Sequence, residues 1–246
     1  MKLLQVISLL MDYPTENIAE SRVDLLDIVA QSTLTEALKK SLSDFIYDRC
    51  AMRLLDWQSE YDGLFERGRA VSLLLFEHIH GESRDRGQAM VNLQQQYQAA
   101  GLDIAALELP DYIPLYLEFL STQGETNAQI GLEEVAHILA VLACRLDERN
   151  SNYAALFHGL LHLSQVQVDL GDIQQQIKGE QRDDTPEALD KVWEEEAVSF
   201  TADSDADACG ISIKRPTQAQ SKDHHEFINV ESLLNFHAGT RVQEPL

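Results

Sequence analysis

Positive charge is scarce in this chain: nineteen lysines and arginines face forty-one acids, a formal charge of -22 over 246 residues. Such a surface repels phosphate backbones and anionic lipid, which argues against nucleic acid as partner and favours basic or apolar polypeptides. Cysteine is scarce too. Cys50, Cys144 and Cys209 are odd in number, far apart and never form a CxxC pair. That argues against a disulfide framework and a thiolate zinc site, and points to reduced thiols in the cytoplasm. Glycine and proline are sparse and strand-like alternation is nearly missing, so an all-α class is expected. Nor does any apolar run approach the roughly 20 residues that a membrane span needs, which predicts a soluble protein. The start MKLLQVISLLMDYP has the Lys2 and short apolar run of a signal peptide. It offers no small-residue cleavage site and meets Asp12 and Pro14 almost at once, so a first core helix is expected instead.

What the chain does have is helical spacing. After Pro14 the apolar residues Ile18, Leu25, Leu26, Ile28 and Val29 predict a second helix. Thr33 and Glu36 form a capping box for a third, with Leu38, Leu42, Phe45 and Ile46 on one side. Trp57, Tyr61, Leu64 and Phe65 mark a fourth, which AVSLLLFEHI continues after Gly68. Ser83 is placed to cap a helix running to Tyr97, and LPDYIPLYLEFL starts another after Pro110, with Asp111 making its first turn acidic. The stripe Leu132, Val135, Ile138, Leu139, Leu142 and Leu146 has little polar surface opposite it and predicts a central helix. Ser151 caps a helix bearing Tyr153, Phe157 and Leu160, and the pair Thr185 and Pro186 opens the last one. The periodicity ends near Phe200. The reading is one helical domain over 1–198 and a flexible acidic tail over 199–246, where only FINVESLLNF has the apolar content to dock.

Few residues offer chemistry. His78 and His80, in FEHIHGESRDRG, stand two apart and so point to different sides of a helix, which suits a helix C-terminus and turn better than a metal site. His158 and His162 do share a helix face at i, i+4, but the glutamate of HExxH and a third ligand are missing. A metal-dependent hydrolase built on these two histidines is the rival enzymatic reading. Phosphate-binding glycine loops and nucleophile elbows are lacking, so no catalytic residue, metal site or cofactor site is assigned.

One stretch is more specific. YDGLFERGRAVSLLLFEHIHGESRDRGQAM, Tyr61 to Met90, resembles the signature of the assembly chaperones of respiratory nitrate reductase, the delta-subunit family within the wider group of molybdoenzyme maturation chaperones. LPDYIPLYLEFL and DDTPEALDKVWEEEAVSF resemble two further segments of that family. The resemblance implies an all-helical cytoplasmic protein without enzymatic activity. It would bind the apo form of the catalytic alpha subunit, chiefly at its N-terminal peptide, and keep it off the membrane anchor. It would support insertion of the molybdenum cofactor and then leave the mature enzyme.

The resemblance also implies where a peptide would bind. The family's Pro-Asp-His pattern maps to Pro110, Asp111 and Tyr112, with Glu118 on the helix that follows. Tyrosine in place of histidine keeps a polar tip but removes titration near neutrality. The candidate peptide-binding residues are Tyr61, Phe65, Arg84, Arg86, Asp111, Tyr112 and Glu118. For Asp111 a simple role at a helix N-terminus stands beside this reading; for Tyr61 and Phe65, ordinary core packing does.

Overall fold

The computed structural model describes residues 2–79, 84–104 and 108–191, all within one compact unit. The expected tail, the segment FINVESLLNF, and His80, Gly81 and Ser83 lie outside the described residues. Among those described, the chain is all-α; its one β-bridge pairs Leu74 with Tyr112. Among the described residues, no helix is long and apolar enough to cross a membrane.

Helix α1 (Lys2–Met11) buries Leu3, Leu4, Val6, Ile7, Leu10 and Met11, as a core helix must. The expected second helix is two, α2 (Glu16–Glu20) and α3 (Arg22–Ala30), because the chain turns at Ser21. Helix α4 (Glu36–Ala51) is capped by Thr35 rather than Thr33. The Thr35 hydroxyl accepts the Leu38 N–H at 3.4 Å, and Glu36 becomes the first helical residue. Helix α5 (Leu54–Tyr61) runs into a π-helical turn, Asp62–Glu66. Beyond it the expected continuation fails: residues 70–74 are not helical, and only Leu75–Ile79 form a short helix, α6. Helix α7 (Arg84–Ala99) and helix α8 (Ile113–Thr122) follow.

Helix α9 (Glu125–Glu148) is the axis of the fold. Leu132, Leu139, Leu142 and Leu146 enter the main core, while Ala140 and Cys144 pack on Ile173 and Ile177 of α11 (Leu170–Ile177). A helix buried on two sides needs small residues on one of them, and the alanines of VAHILAVLAC supply them. Helix α8 approaches tightly at Gly131, where an added Cβ would lie 2.4 Å from the Leu120 side chain. Helix α10 (Ala154–Ser164) packs along α9; Ser151 caps the turn before it, accepting the Tyr153 N–H at 3.4 Å, rather than the helix itself. Thr185 does cap the final helix, over 186–191, through the Ala188 N–H at 3.2 Å.

Candidate functional site

The run SLLLF has no polar face, so it needs partners on every side and cannot lie on the surface as an amphipathic helix. Its first three residues, 72–74, are drawn out beside the segment 109–113, and Leu75 and Phe76 open α6. Ile113 donates its N–H to the Leu73 carbonyl at 2.8 Å, and Leu75 donates to the Asp111 carbonyl at 2.9 Å. This crossing fixes Asp111. Asp111 was expected in the first turn of α8, but Tyr112 is extended and is the N-cap, and the first turn of α8 holds no acid. The Asp111 carboxylate turns instead to the N-terminus of α6, where it accepts the Phe76 N–H at 3.1 Å. Arg86 stands 3.9 Å from it and 3.7 Å from Glu77. Asp111 is fully buried, and one of its oxygens and the Arg86 Nε have no hydrogen-bond partner among the described residues. Burial raises the Asp111 pKa above the ordinary carboxylate value, against the opposing pull of the Phe76 N–H and Arg86.

Tyr112 faces the other way. Its hydroxyl donates to the Asp12 carboxylate at 2.9 Å and lies 3.0 Å from the Tyr61 hydroxyl, which donates to the Met11 carbonyl at 3.1 Å. Burial pushes both phenol pKa values far up, so both stay neutral hydrogen-bonding groups. The Tyr61 ring packs on Phe65 at 4.9 Å between centroids, and Phe65 meets Tyr153 edge-on at 5.0 Å. Tyr153 accepts the Trp57 indole N–H at 2.7 Å and has its own pKa pushed up to about 12 by burial.

The structure therefore gathers Tyr61, Phe65, Asp111, Tyr112 and Arg86 around one crossing. Tyr61, Phe65 and Asp111 are buried there, Tyr112 and Arg86 are half-buried, and Glu118 is exposed further along α8. The backbone of Arg84 opens α7, and its side chain lies outside the described residues.

A clasp missed in the sequence holds the start of this crossing. Arg145 lies in the last turn of α9, and Arg149, four residues on, is its C-cap. Arg145 donates to the Ala70 carbonyl at 2.8 Å and forks onto the Glu180 carboxylate at 2.9 and 3.0 Å. Arg149, almost buried, donates to Asp183 at 2.8 Å and to Asp184 at 3.4 Å. Asp183 in turn accepts the Ala70 N–H at 2.7 Å. Both main-chain groups of Ala70 are thus held by charged side chains from elsewhere in the chain. The i, i+4 arginines were the signal in the sequence, but their partners are not local.

His158 and His162 are both on α10, yet each has its own partner: the Asp147 carboxylate lies 2.9 Å from one, and the Thr33 carbonyl 3.4 Å from the other. Among the described residues, no group of three or more histidines, cysteines or acids stands where it could hold a metal ion. What lies beside the pair is a hollow of about 810 Å³ lined by Leu38, Leu161, Val166, Val168 and Leu170.

The family described as nitrate reductase delta subunit matches residues 30–159. The chain is 47% identical over 210 residues to the nitrate reductase molybdenum cofactor assembly chaperone NarJ of Escherichia coli K12, covering 85% of this chain and 88% of that protein. Against the probable nitrate reductase molybdenum cofactor assembly chaperone NarW of the same strain it is 46% identical over 212 residues, 86% of this chain and 89% of the other. A probable NarJ of Bacillus subtilis 168 is 30% identical over 157 residues, 63% of this chain and 84% of its own.

Proposed function

The chain belongs to the nitrate reductase delta subunit family, and we propose that it is a non-enzymatic assembly chaperone of a respiratory nitrate reductase. In this reading it binds the catalytic alpha subunit in the cytoplasm, chiefly by that subunit's N-terminal segment, and supports molybdenum cofactor insertion before the complex docks at the membrane. The observation that carries it is the likeness to NarJ over 85% of the chain, 210 residues rather than one motif.

The physical properties of the body fit. A charge of -22 speeds encounter with a basic client segment, and apolar hollows between helices supply the surface that retains it. Each large apolar side chain that becomes fully buried contributes roughly 1.5 to 3 kcal/mol. Four such anchors at the upper end of that range reach about micromolar affinity after an association cost of about 4 kcal/mol is subtracted. Of the candidate residues, Tyr61, Phe65 and Asp111 act by keeping the crossing rigid, because a peptide does not touch them while the joint is closed. Tyr112, Arg86 and Glu118 are open to contact.

Isothermal titration of the full chain with the N-terminal peptide of a nitrate reductase alpha subunit tests this. Saturable heat at micromolar concentration is expected, together with co-purification of the apo alpha subunit. No heat at high micromolar peptide and no co-purification would overturn it.

A further inference from the structure

Beyond the client reading and independent of it, we infer that the chain carries a further site: a polar hollow that takes the phosphate group of a small molecule. It lies between the π-helical turn after α5 and the turn that joins α9 to α10. The hollow holds about 430 Å³, within the range of small-ligand pockets. Arg49, in the last turn of α4, forms part of its wall. The Arg49 guanidinium lies over the Tyr153 and Phe45 rings, 4.8 and 5.5 Å from their centroids, and the side chain is almost wholly buried. It donates to the Glu60 carboxylate and to the Asn152 side-chain oxygen, yet its Nε has no acceptor among the described residues. A buried cation left short of acceptors gains from negative charge placed beside it.

The turn after α9 sets the donors. Asn150 is left-handed, φ 53°, and the N–H groups of Asn150 and Ser151 return to the Asp147 and Leu146 carbonyls, both at 2.9 Å. That closes α9 and leaves the side chains of residues 150–152 to line the hollow. A guanidinium only donates, so the Asn152 atom that meets Arg49 is its oxygen, and the amide NH2 is the free end. Ser151 accepts the Tyr153 N–H, and its own hydroxyl proton has no acceptor among the described residues. Arg182 forks Nε and Nη2 onto Asp184, which leaves Nη1 to turn elsewhere. The two acids that share the hollow, Glu60 and Asp184, are already held by arginines. Gly63 completes the lining, and nothing lies within 4 Å of where its Cβ would stand. Donors in excess select an acceptor-rich ligand: a phosphate brings charge and three or more oxygens, a carboxylate two, an apolar compound none. The chain's charge of -22 opposes any anion, but that field is screened beyond about 8 Å at physiological salt. Within the hollow two arginines balance two acids, so affinity rests on the local donors and is modest.

Isothermal titration of the full chain with inorganic pyrophosphate at fixed ionic strength tests the site, with citrate as a carboxylate probe. Pyrophosphate should saturate at about 0.1 to 1 mM, and citrate should bind at least about fivefold more weakly. Gly63→Glu sets a carboxylate in open space, and Arg182→Gln removes a cation from the rim; each should weaken pyrophosphate by about tenfold. Gly87→Glu makes the same exchange on α7, where an added Cβ also meets nothing within 4 Å, and should leave the affinity within about twofold. Circular dichroism checks that each variant keeps its helices; if Gly63→Glu does not, Arg182→Gln decides. The absence of saturable heat at about 10 mM pyrophosphate would overturn the site. So would a folded Gly63→Glu or Arg182→Gln that binds pyrophosphate as tightly as the parent. Citrate binding as tightly as pyrophosphate would overturn phosphate as the ligand class.

Discussion

The Asp111 carboxylate accepts the main-chain N–H of Phe76 at 3.1 Å across 35 positions of sequence, so the acid that precedes one helix caps another. Two segments that would otherwise only lie side by side are thereby joined by a side chain as well as by the ladder bonds of Leu73 and Leu75. Asp111→Ala should lower stability by about 1 to 3 kcal/mol, since it strips a buried donor and Arg86 of their partner. Asp111→Asn should cost less. The pKa of Asp111 is raised by burial, so the sign is fixed: the contribution is full below the ordinary carboxylate pKa, about 3.9, and is lost as pH rises through the folded value. Urea unfolding of the parent and of Asp111→Asn at pH 4 and pH 7 should therefore show the parent gaining on the variant at the lower pH.

How far this was legible in the sequence depends on range. The apolar stripe of α9, the body of α10 and the Thr185 cap follow from spacing and from residues within one turn, whereas the first two turns of α9, from Glu125, and the start of α10 beyond Ser151 do not. Nor do residues 70–74: an apolar run of that length is compatible with helix or strand, and what decides is the segment 109–113, some forty positions away. The same holds for Asp111, whose neighbours in sequence suggest α8 while the folded chain gives it to α6. Tyr61, Phe65 and Tyr112 were found through a family resemblance; that they pack around a common hydroxyl chain is visible only in three dimensions.

Gly68 offers a sharper test of the clasp. A Cβ there would lie 2.6 Å from the Asp183 carboxylate, which must then leave Ala70 and Arg149. Gly68→Ala should cost roughly 1 to 3 kcal/mol, the range for losing buried polar partners. Gly63, with nothing within 4 Å, is the control: Gly63→Ala should be neutral or gain about 0.4 to 1 kcal/mol by restricting the unfolded chain. Equal thermal shifts for the two would remove the clasp from the account.

Arg149 should matter most above pH 4. The Asp183 pKa ends below the ordinary value: burial pushes it up, but the Ala70 N–H and Arg149 outweigh that. Asp184 is lowered first by the Arg182 hydrogen bond and further by Arg149. Depressed carboxylates stabilise the fold above the unfolded value of about 3.9 and lose that contribution as pH falls through the folded one. Arg149→Leu should cost roughly 3 kcal/mol at neutral pH by leaving the acids unpaired. The gap from the parent should narrow toward pH 3, as followed by chemical denaturation.

Tyr61 and Tyr112 should be coupled. Their hydroxyls are 3.0 Å apart, and each donates to a neighbouring acceptor at the end of α1, Tyr112 to the Asp12 carboxylate and Tyr61 to the Met11 carbonyl. Tyr61→Phe and Tyr112→Phe each remove one link, and the double variant should be more stable than additivity predicts by about 0.5 to 1.5 kcal/mol. Strict additivity in a double-mutant cycle would mean that the two phenols act independently.

His78 should give the fold a third pH dependence, nearer neutrality and of opposite sign to that of Asp111. Its Nε2 donates to the Ser72 carbonyl at 2.8 Å, which ties the short helix α6 back to the start of the crossing and needs only the neutral ring. Burial lowers its pKa below the usual histidine value, and the Ser72 carbonyl opposes this only in part. The unfolded chain therefore binds the proton more readily than the folded one does. Stability is full above the unfolded value of about 6.5 and is lost as pH falls through the depressed folded value. Between pH 7 and pH 5 the parent should lose stability that His78→Gln does not, because glutamine can still donate to Ser72 and cannot titrate. If both proteins show the same slope in urea unfolding across that interval, His78 is not the titrating group and the loss belongs to another histidine.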